Sequence, residues 1–259
     1  MSELDVRSFT VGPVQENAYI VRAVGTDAEP AGAGRAILVD PGDEPQRLIE
    51  AIDRLGVQIE AILITHCHFD HIGAVAPLAR STGAPVYCPE LERPVLQNPA
   101  MATPPGFGPF EGYEPEHTLS GGESLQLAGL DIEVLLTPGH SPGHLTYSLP
   151  THATILSGDV LFAGSIGRTD LPFADHATLM QTLATLIDTV PRETVVHPGH
   201  MGATTIGREL ATNPFLVEIR AERSAERRPE QSATSRPERR SDRESEQQPE
   251  PQRARAAER

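Results

Sequence analysis

The stretch "ILITHCHFDHIGA", residues 62–74, places four side chains of metal-ligand type directly behind an apolar run. They are His66, His68, Asp70 and His71. Imidazole nitrogen and carboxylate oxygen are the preferred ligands of zinc and of similar first-row metals. Alternate residues of an extended turn point to the same side. We therefore expect His66, His68 and Asp70 to point together and His71 to face a second position.

Short apolar runs and amphipathic segments alternate on both sides of this stretch. Residues 36–40 and 59–65 predict buried strands, and residues 44–56 predict an amphipathic helix with Gly56 as its C-cap. Further helices are predicted over 71–83, 175–190 and 207–219, and further strands over 84–89, 130–137, 144–150, 153–162 and 194–197. Residues 89–122 predict a long loop. Together these elements indicate an α/β fold with packed sheets and helices outside them.

Residues of ligand type follow strand ends at four places: "THCHFDH", "TPGHSPGH", "SGDVLF" and "HPGH". In α/β proteins, sites gather outside the carboxyl ends of the strands. The candidate metal ligands are His66, His68, Asp70, His71, His140, Asp159 and His200. Seven ligands are too many for one tetrahedral ion. They predict two ions that share a carboxylate and a water molecule.

In this order, these four segments resemble the metallo-β-lactamase superfamily, from about residue 6 to residue 219. The resemblance implies an αββα sandwich. It also implies two divalent ions, with zinc expected and iron or manganese as alternatives. The implied ligands are His66, His68 and His140 for one ion, Asp70, His71 and His200 for the other, and Asp159 between them.

Within the superfamily, "GDVLFAGSIGRTDLP" and "TTIGRELATNPFL" resemble short glyoxalase II-like (hydroxyacylglutathione hydrolase-like) enzymes. The resemblance implies hydrolysis of a thioester such as S-lactoylglutathione by a metal-bridged hydroxide. Asp70 would orient the hydroxide and accept its proton, which makes it the catalytic residue. A thiolate leaving group needs little protonation, so a thioester suits a site without an obvious general acid.

Arg168 falls where the resembled family has a basic residue that contacts a substrate carboxylate, and guanidinium binds carboxylate bidentately. A structural ion pair with Asp170 or Asp175 is the other interpretation, and the sequence leaves both open. Asp170 also stands where that family has a tyrosine contact to glutathione. Met201 stands where a glycine is expected.

Other activities remain open at the level of sequence. The "GRTD" segment and the first histidine pair also resemble persulfide dioxygenases, which bind one iron; the corresponding residues are His66, His140 and Asp159. Hydrolysis of lactams by the same fold is disfavoured by the absence of a secretory signal pattern, and hydrolysis of nucleic acids is disfavoured by charge. Residues 1–220 carry 11 Arg against 27 Asp and Glu, whereas phosphate binding needs a basic surface.

The remaining features predict the setting of this domain. The start "MSELDVRSF" has no secretory signal pattern, and no apolar run reaches the length of a membrane span. We therefore expect a soluble cytoplasmic protein that acts on a small-molecule thioester and binds neither membrane nor nucleic acid; its oligomeric state is left open. Arg, Glu, Ser, Gln and Pro dominate residues 221–259, which predicts a disordered charged tail after the domain at 1–220.

Two residues close to the motifs have predicted supporting roles. Alternation along the chain points Cys67 away from the ligands on either side of it, so we expect its thiol to pack in the core. His144 is a candidate to orient a ligand through one of its ring nitrogens.

Overall fold

A computed structural model describes residues 3–25 and 34–221 of the chain. Its strands are β1 (Glu3–Val11), β2 (Glu16–Val24), β3 (Arg35–Val39), β4 (Gln58–Leu63), β5 (Val86–Pro89), β6 (His117–Leu119), β7 (Ser124–Leu127), β8 (Leu130–Leu136), β9 (Leu145–Leu149), β10 (Thr154–Gly158), β11 (Leu161–Phe162), β12 (Ser165–Ile166), β13 (Val195–Pro198) and β14 (Thr204–Thr205). Its α-helices are α1 (Pro45–Leu55), α2 (Phe69–Ile72), α3 (Val75–Thr82), α4 (Arg93–Gln97), α5 (His176–Thr189) and α6 (Ile206–Thr212), and residues 214–221 are also helical.

The strands form two six-stranded mixed sheets and one short hairpin, β11–β12. The first sheet has the order β1-β2-β3-β4-β5-β6, in which β3 to β6 run parallel and β1 and β2 are antiparallel neighbours. The second sheet has the order β14-β13-β10-β9-β8-β7, in which only β10 and β13 pair in parallel.

Period-two alternation along the buried strands explains how the layers stack. In β3, Leu38 faces an outer apolar layer under α1 and α3, whereas Ile37 and Val39 face the layer between the two sheets. In β10, Leu156 lies in that shared layer and Ile155 faces a third layer under α5 and α6. Each sheet is thus covered on both faces. The predicted αββα sandwich is confirmed.

Helix α1 ends as its sequence predicts. Gly56 adopts a left-handed conformation (φ 60°), and its N–H bonds to the carbonyls of Ile52 and Asp53. This is the conformation that glycine adopts at helix C-caps without a steric penalty from a Cβ atom.

Several segments depart from the predictions. The helix expected over 207–219 is interrupted at Asn213, between α6 and the helical residues 214–221, and the strand expected over 153–162 is two strands, β10 and β11. The helix expected over 71–83 is two helices, α2 and α3, because residues 73 and 74 form a turn that interrupts the helical hydrogen bonding. The loop expected over 89–122 contains a short 3-10 turn (Glu90–Glu92), the helix α4 with a proline in its first turn, and the strand β6. Strands β1 and β2 were not predicted.

The predicted charged tail lies almost wholly outside the described residues. Ala221 is helical and is the last residue that the structure describes. The tail and the boundary at residue 220 therefore stay predictions. In the described ranges, none of the helices has the length and apolar character needed to cross a bilayer.

Candidate metal centre

Three histidines form the first group of ligand-type side chains. Nε2 of His66 lies 3.0 Å from Nδ1 of His68 and 3.2 Å from Nε2 of His140. Nδ1 of His68 and Nε2 of His140 are 2.8 Å apart. Nitrogens about 2.0–2.1 Å from a tetrahedral zinc ion lie roughly 3.3 Å from one another. The three ring nitrogens therefore converge on one point at nearly the spacing of zinc ligands.

Asp70, His71 and His200 form the second group. Oδ2 of Asp70 lies 3.3 Å from Nε2 of His200 and 3.9 Å from Nε2 of His71. Alternation along the chain predicts that Asp70 points with His66 and His68, and this prediction is wrong. The chain turns into helix α2 at Phe69, so the extended spacing ends before Asp70. The structure thus brings these three side chains together, and their binding of a metal ion stays a prediction.

Asp159 lies between the two groups. Its Oδ2 is 3.5 Å from Nε2 of His140, in the first group, and 3.5 Å from Nε2 of His200, in the second. Its Oδ1 is 3.5 Å from Nε2 of His71. One carboxylate therefore faces both groups, which is the position that a bridging ligand would need.

Buried polar atoms without partners support a cation at this place. Among the described residues, Nε2 of His71 and Oδ1 of Asp159 are buried and accept or donate no hydrogen bond. Such atoms are rare in folded proteins and cost free energy when nothing compensates them. The donor set of imidazoles and carboxylates matches the preference of zinc, iron and manganese. The residues present fit a pair of divalent ions.

The opposite ring nitrogens are held by oxygen acceptors, which orients the rings. Nδ1 of His71 donates to Asp40 at 3.0 Å, and Nδ1 of His140 donates to the carbonyl of Arg168 at 2.8 Å. Nδ1 of His66 lies 3.0 Å from the hydroxyl of Thr65. A proton fixed on Nδ1 leaves the Nε2 lone pair free to bind a metal.

Asp40 is a residue that the sequence analysis missed. It follows β3 and is buried, with Oδ1 accepting from the Thr65 N–H at 2.7 Å and Oδ2 accepting from the Thr65 hydroxyl at 2.6 Å and from His71. One carboxylate thereby orients ligands of both groups, through Thr65 to His66 and directly to His71. Its place at the carboxyl end of a parallel strand was the available signal.

His144 contacts one candidate ligand, Asp159, through a ring nitrogen, in line with its predicted supporting role. Its Nε2 accepts a hydrogen bond from the backbone N–H of Asp159 at 3.0 Å, and its Nδ1 lies 2.9 Å from the hydroxyl of Thr137. It therefore positions the main chain of Asp159. Cys67 packs in the core as predicted, with its Sγ atom 3.6 Å from that of Cys88.

The two groups differ in their electrostatics. Burial lowers the pKa of His68 and of His140 to about 4, so both are neutral at pH 7. Burial also opposes charge on His71, but the Asp159 and Asp70 carboxylates outweigh it and raise the pKa of His71 well above its usual value. The first group therefore presents free lone pairs, whereas the second holds a proton that a cation would displace.

Arg168 lies at the surface with its guanidinium engaged. Its Nε and Nη2 atoms donate to the two carboxylate oxygens of Asp170, each at 2.9 Å. Both side chains are about two-thirds exposed, at 67% and 70%. This is the ion pair that the sequence left open, and the contact with a substrate carboxylate stays a prediction.

Sequence comparison places these groups in a known family. The family model of the metallo-β-lactamase superfamily matches residues 11–200. The chain is 36% identical over 215 residues to the protein named "Probable metallo-hydrolase YqgX" from Bacillus subtilis, which covers 81% of this chain and 96% of that protein. It is 35% identical over 184 residues to the hydroxyacylglutathione hydrolase GloC from Haemophilus influenzae, which covers 70% of this chain and 87% of that protein.

Solved structures give the same result. The B3 metallo-β-lactamase BLEG-1 matches with a TM-score of 0.75 and 38% identity, over 82% of this chain and 99% of that one. TTHA1623 in a di-iron-bound form matches with a TM-score of 0.67 and 42% identity, over 82% and 100%. ETHE1 from Myxococcus xanthus matches with a TM-score of 0.62 and 25% identity, over 81% and 83%. The chain belongs to the metallo-β-lactamase superfamily.

Proposed function

We propose that the protein is a hydrolase with two divalent metal ions that cleaves a thioester such as S-lactoylglutathione or a related hydroxyacyl thioester. The observation that carries this proposal is the division of seven side chains into two groups of three with Asp159 facing both. Two adjacent ions supply Lewis acidity and lower the pKa of a bound water molecule when they are present. His66, His68 and His140 would hold one ion, and Asp70, His71 and His200 the other.

We assign to Asp70 the role of orienting the attacking water. Burial raises the pKa of its carboxyl, but the neighbouring His71 and His200 outweigh burial and hold that pKa well below its ordinary value. Asp70 is therefore ionised and can only accept hydrogen bonds. Its Oδ2 faces His200, and the carboxylate can align a water proton and receive it at that oxygen.

The choice of a thioester rests on what the chain offers to a leaving group. The sequence contains no lysine, and the imidazoles of the site face metal-ligand positions or hold neighbouring groups. An amine leaving group needs a proton from the enzyme, whereas a thiolate departs readily without one. The similarity to a hydroxyacylglutathione hydrolase supports the same substrate class.

The competing proposal is persulfide dioxygenase activity, which rests on the resemblance to that family. The metal content of the purified protein distinguishes the hydrolase from the dioxygenase. Purified protein should contain two zinc ions per chain and should hydrolyse S-lactoylglutathione. A single iron per chain, with oxygen consumption on glutathione persulfide and no thioester hydrolysis, would replace this proposal with the dioxygenase.

Substitutions in the site test the assignment of roles. Asp70→Ala and His66→Ala should each remove nearly all turnover. His152→Ala is the matched control, because His152 belongs to neither group and is only partly buried. Metal content is measured on every variant, and full turnover by Asp70→Ala with its metals retained would count against the assigned role of Asp70.

A further inference from the structure

Glu92 is a buried carboxylate that the proposed reaction does not use. It ends the 3-10 turn Glu90–Glu92 after β5, and only 6% of it is exposed. None of the described arginines forms an ion pair with it. Burying a carboxylate away from water is costly unless hydrogen bonds compensate. The hydrogen-bond donors that compensate its burial therefore indicate the role of this carboxylate.

In the part of the chain that the structure describes, the three hydrogen-bond donors to this carboxylate all lie in loops that carry candidate ligands. Oε2 accepts from the backbone N–H of Cys67 at 2.5 Å. Oε1 accepts from the backbone N–H of Gly143 at 3.0 Å and from the hydroxyl of Ser141. Burial raises the pKa of Glu92, and these three donors oppose that effect.

The two loops come from different sheets. Cys67 lies between His66 and His68 in the loop that follows β4 of the first sheet. Ser141 follows His140 in the loop after β8 of the second sheet. One side chain thus bonds the main chain between His66 and His68 and, through the Ser141 hydroxyl and the Gly143 N–H, the loop that carries His140.

The packing leaves little freedom in this connection. A Cβ atom on Gly143 would lie 3.0 Å from Cγ and 3.3 Å from Oε1 of Glu92. The loop main chain therefore lies directly against the Glu92 side chain. A change in length or charge at position 92 would be transmitted to the loop and to the adjacent ligand.

We propose that Glu92 is a positioning residue that sets the separation of His66 and His68 from His140, and so the metal affinity of the first group. The inference rests on the proposed metal centre and names a determinant of its first site. Glu92 forms no hydrogen bond with a ligand side chain and acts through the two loops that it connects. Loss of Glu92 should lower the metal affinity of the first ligand group and leave that of the second group nearly unchanged.

Zinc titration of the metal-free full-length protein tests this, with a chromogenic chelator as competitor and no substrate present. Each group is isolated in its own background: His200→Ala leaves the first group complete, and His140→Ala leaves the second. Glu92→Gln should weaken zinc binding about tenfold in the His200→Ala background, as is typical for residues that support metal ligands. In the His140→Ala background the change should stay within about twofold.

The matched control is Glu90→Gln, on the same turn. Glu90 is exposed and bonds to the hydroxyl of Ser120, which belongs to neither ligand loop, so this change should leave both affinities unaltered. If Glu92→Gln does not fold, Ser141→Ala replaces it, since that variant removes one of the three donors. We expect Ser141→Ala to weaken the first group by a few-fold only.

The outcomes separate this inference from the proposed function. Equal weakening in both backgrounds, or no weakening in either, would reduce Glu92 to a general stabiliser of the fold and overturn the inference. Absence of zinc binding by the unsubstituted protein would instead overturn the metal centre itself. Loss of the thioesterase assignment alone would leave the zinc titration unaffected.

Discussion

Asp40 and His71 form a fully buried pair in which Nδ1 of His71 donates to Oδ2 of Asp40 at 3.0 Å, while Nε2 of the same ring faces the ligand cluster. The carboxylate therefore holds a proton on Nδ1, so that Nε2 is the nitrogen that a metal ion would bind. It also fixes the ring orientation, since a ring held at one nitrogen cannot rotate freely.

Replacement of Asp40 by Ala should weaken the second ligand group. Nδ1 of His71 would lose its acceptor, and the N–H of Thr65 would be left buried and unbonded. We expect zinc affinity to fall about 10–100-fold, together with a lower melting temperature. Asp53→Ala on the exposed face of α1 is the control, and equal affinities in the two variants would contradict the role of Asp40.

Replacement of Asp159 by Asn should impair both groups at once. The amide keeps the size of the side chain but loses the charge that faces His71, His140 and His200. We expect weaker zinc binding in both single-group backgrounds and loss of nearly all turnover. Asp131→Asn, at an exposed position on β8, should change neither. Weakening of only one group would argue against a bridging position.

The two groups should respond differently to pH. His68 and His140 have pKa values of about 4 because they are buried, so zinc binding to the first group releases few protons above pH 5. Nearby carboxylates outweigh burial and raise the pKa values of His71 and His200, so these imidazoles hold their protons to higher pH than His68 and His140 do.

Zinc affinity of the second group should therefore rise with pH through the neutral range, while that of the first group stays nearly flat. Calorimetric titration in buffers of different ionisation enthalpy measures the protons released in each single-group background. A larger proton release from the first group would contradict the assigned protonation states.

Gly199 should not tolerate a methyl group, for a reason that involves the ligands directly. A Cβ atom there would lie 2.2 Å from Oδ1 of Asp159 and 2.6 Å from Cε1 of His71. Gly199→Ala should displace both side chains and lower turnover by about a hundredfold. Gly202→Ala is the matched control, since its Cβ atom would meet nothing within 4 Å. Equal rates in the two variants would contradict the geometry.

The ion pair between Arg168 and Asp170 gives a test of substrate binding. If Arg168 binds a substrate carboxylate, Arg168→Ala should raise the KM for S-lactoylglutathione severalfold with kcat little changed. Asp170→Ala frees the guanidinium and should lower KM. Unchanged KM values in both variants would contradict substrate binding by Arg168 and would limit its role to the ion pair with Asp170.

The sequence predicted those features that depend on local pattern. Buried strands such as β3 and β4 have β-branched apolar runs, and the histidine motif follows one of them directly. Strand β1 has no such run, because it is a partly exposed edge strand held by pairing with β2. Its existence depends on the partner strand, which local periodicity does not show.

The supporting residues were missed for a related reason. Asp40 and Glu92 carry no motif of their own, and their roles arise from contacts with residues 25 positions or more away. The assignment of Asp70 to the second group also depended on where helix α2 begins. Such facts follow from tertiary packing and from element boundaries, which are the least certain part of sequence reasoning.

The ligand-type side chains come from loops of both sheets, four from the first and three from the second. Ions held by all seven would act as a crosslink at one edge of the sandwich, in addition to the apolar layer that joins the sheets. By mass action, a ligand that binds only the folded state stabilises it in proportion to the logarithm of its free concentration. The resistance of this edge to local unfolding would thus increase with the concentration of free metal, whereas that of the opposite edge would not depend on it.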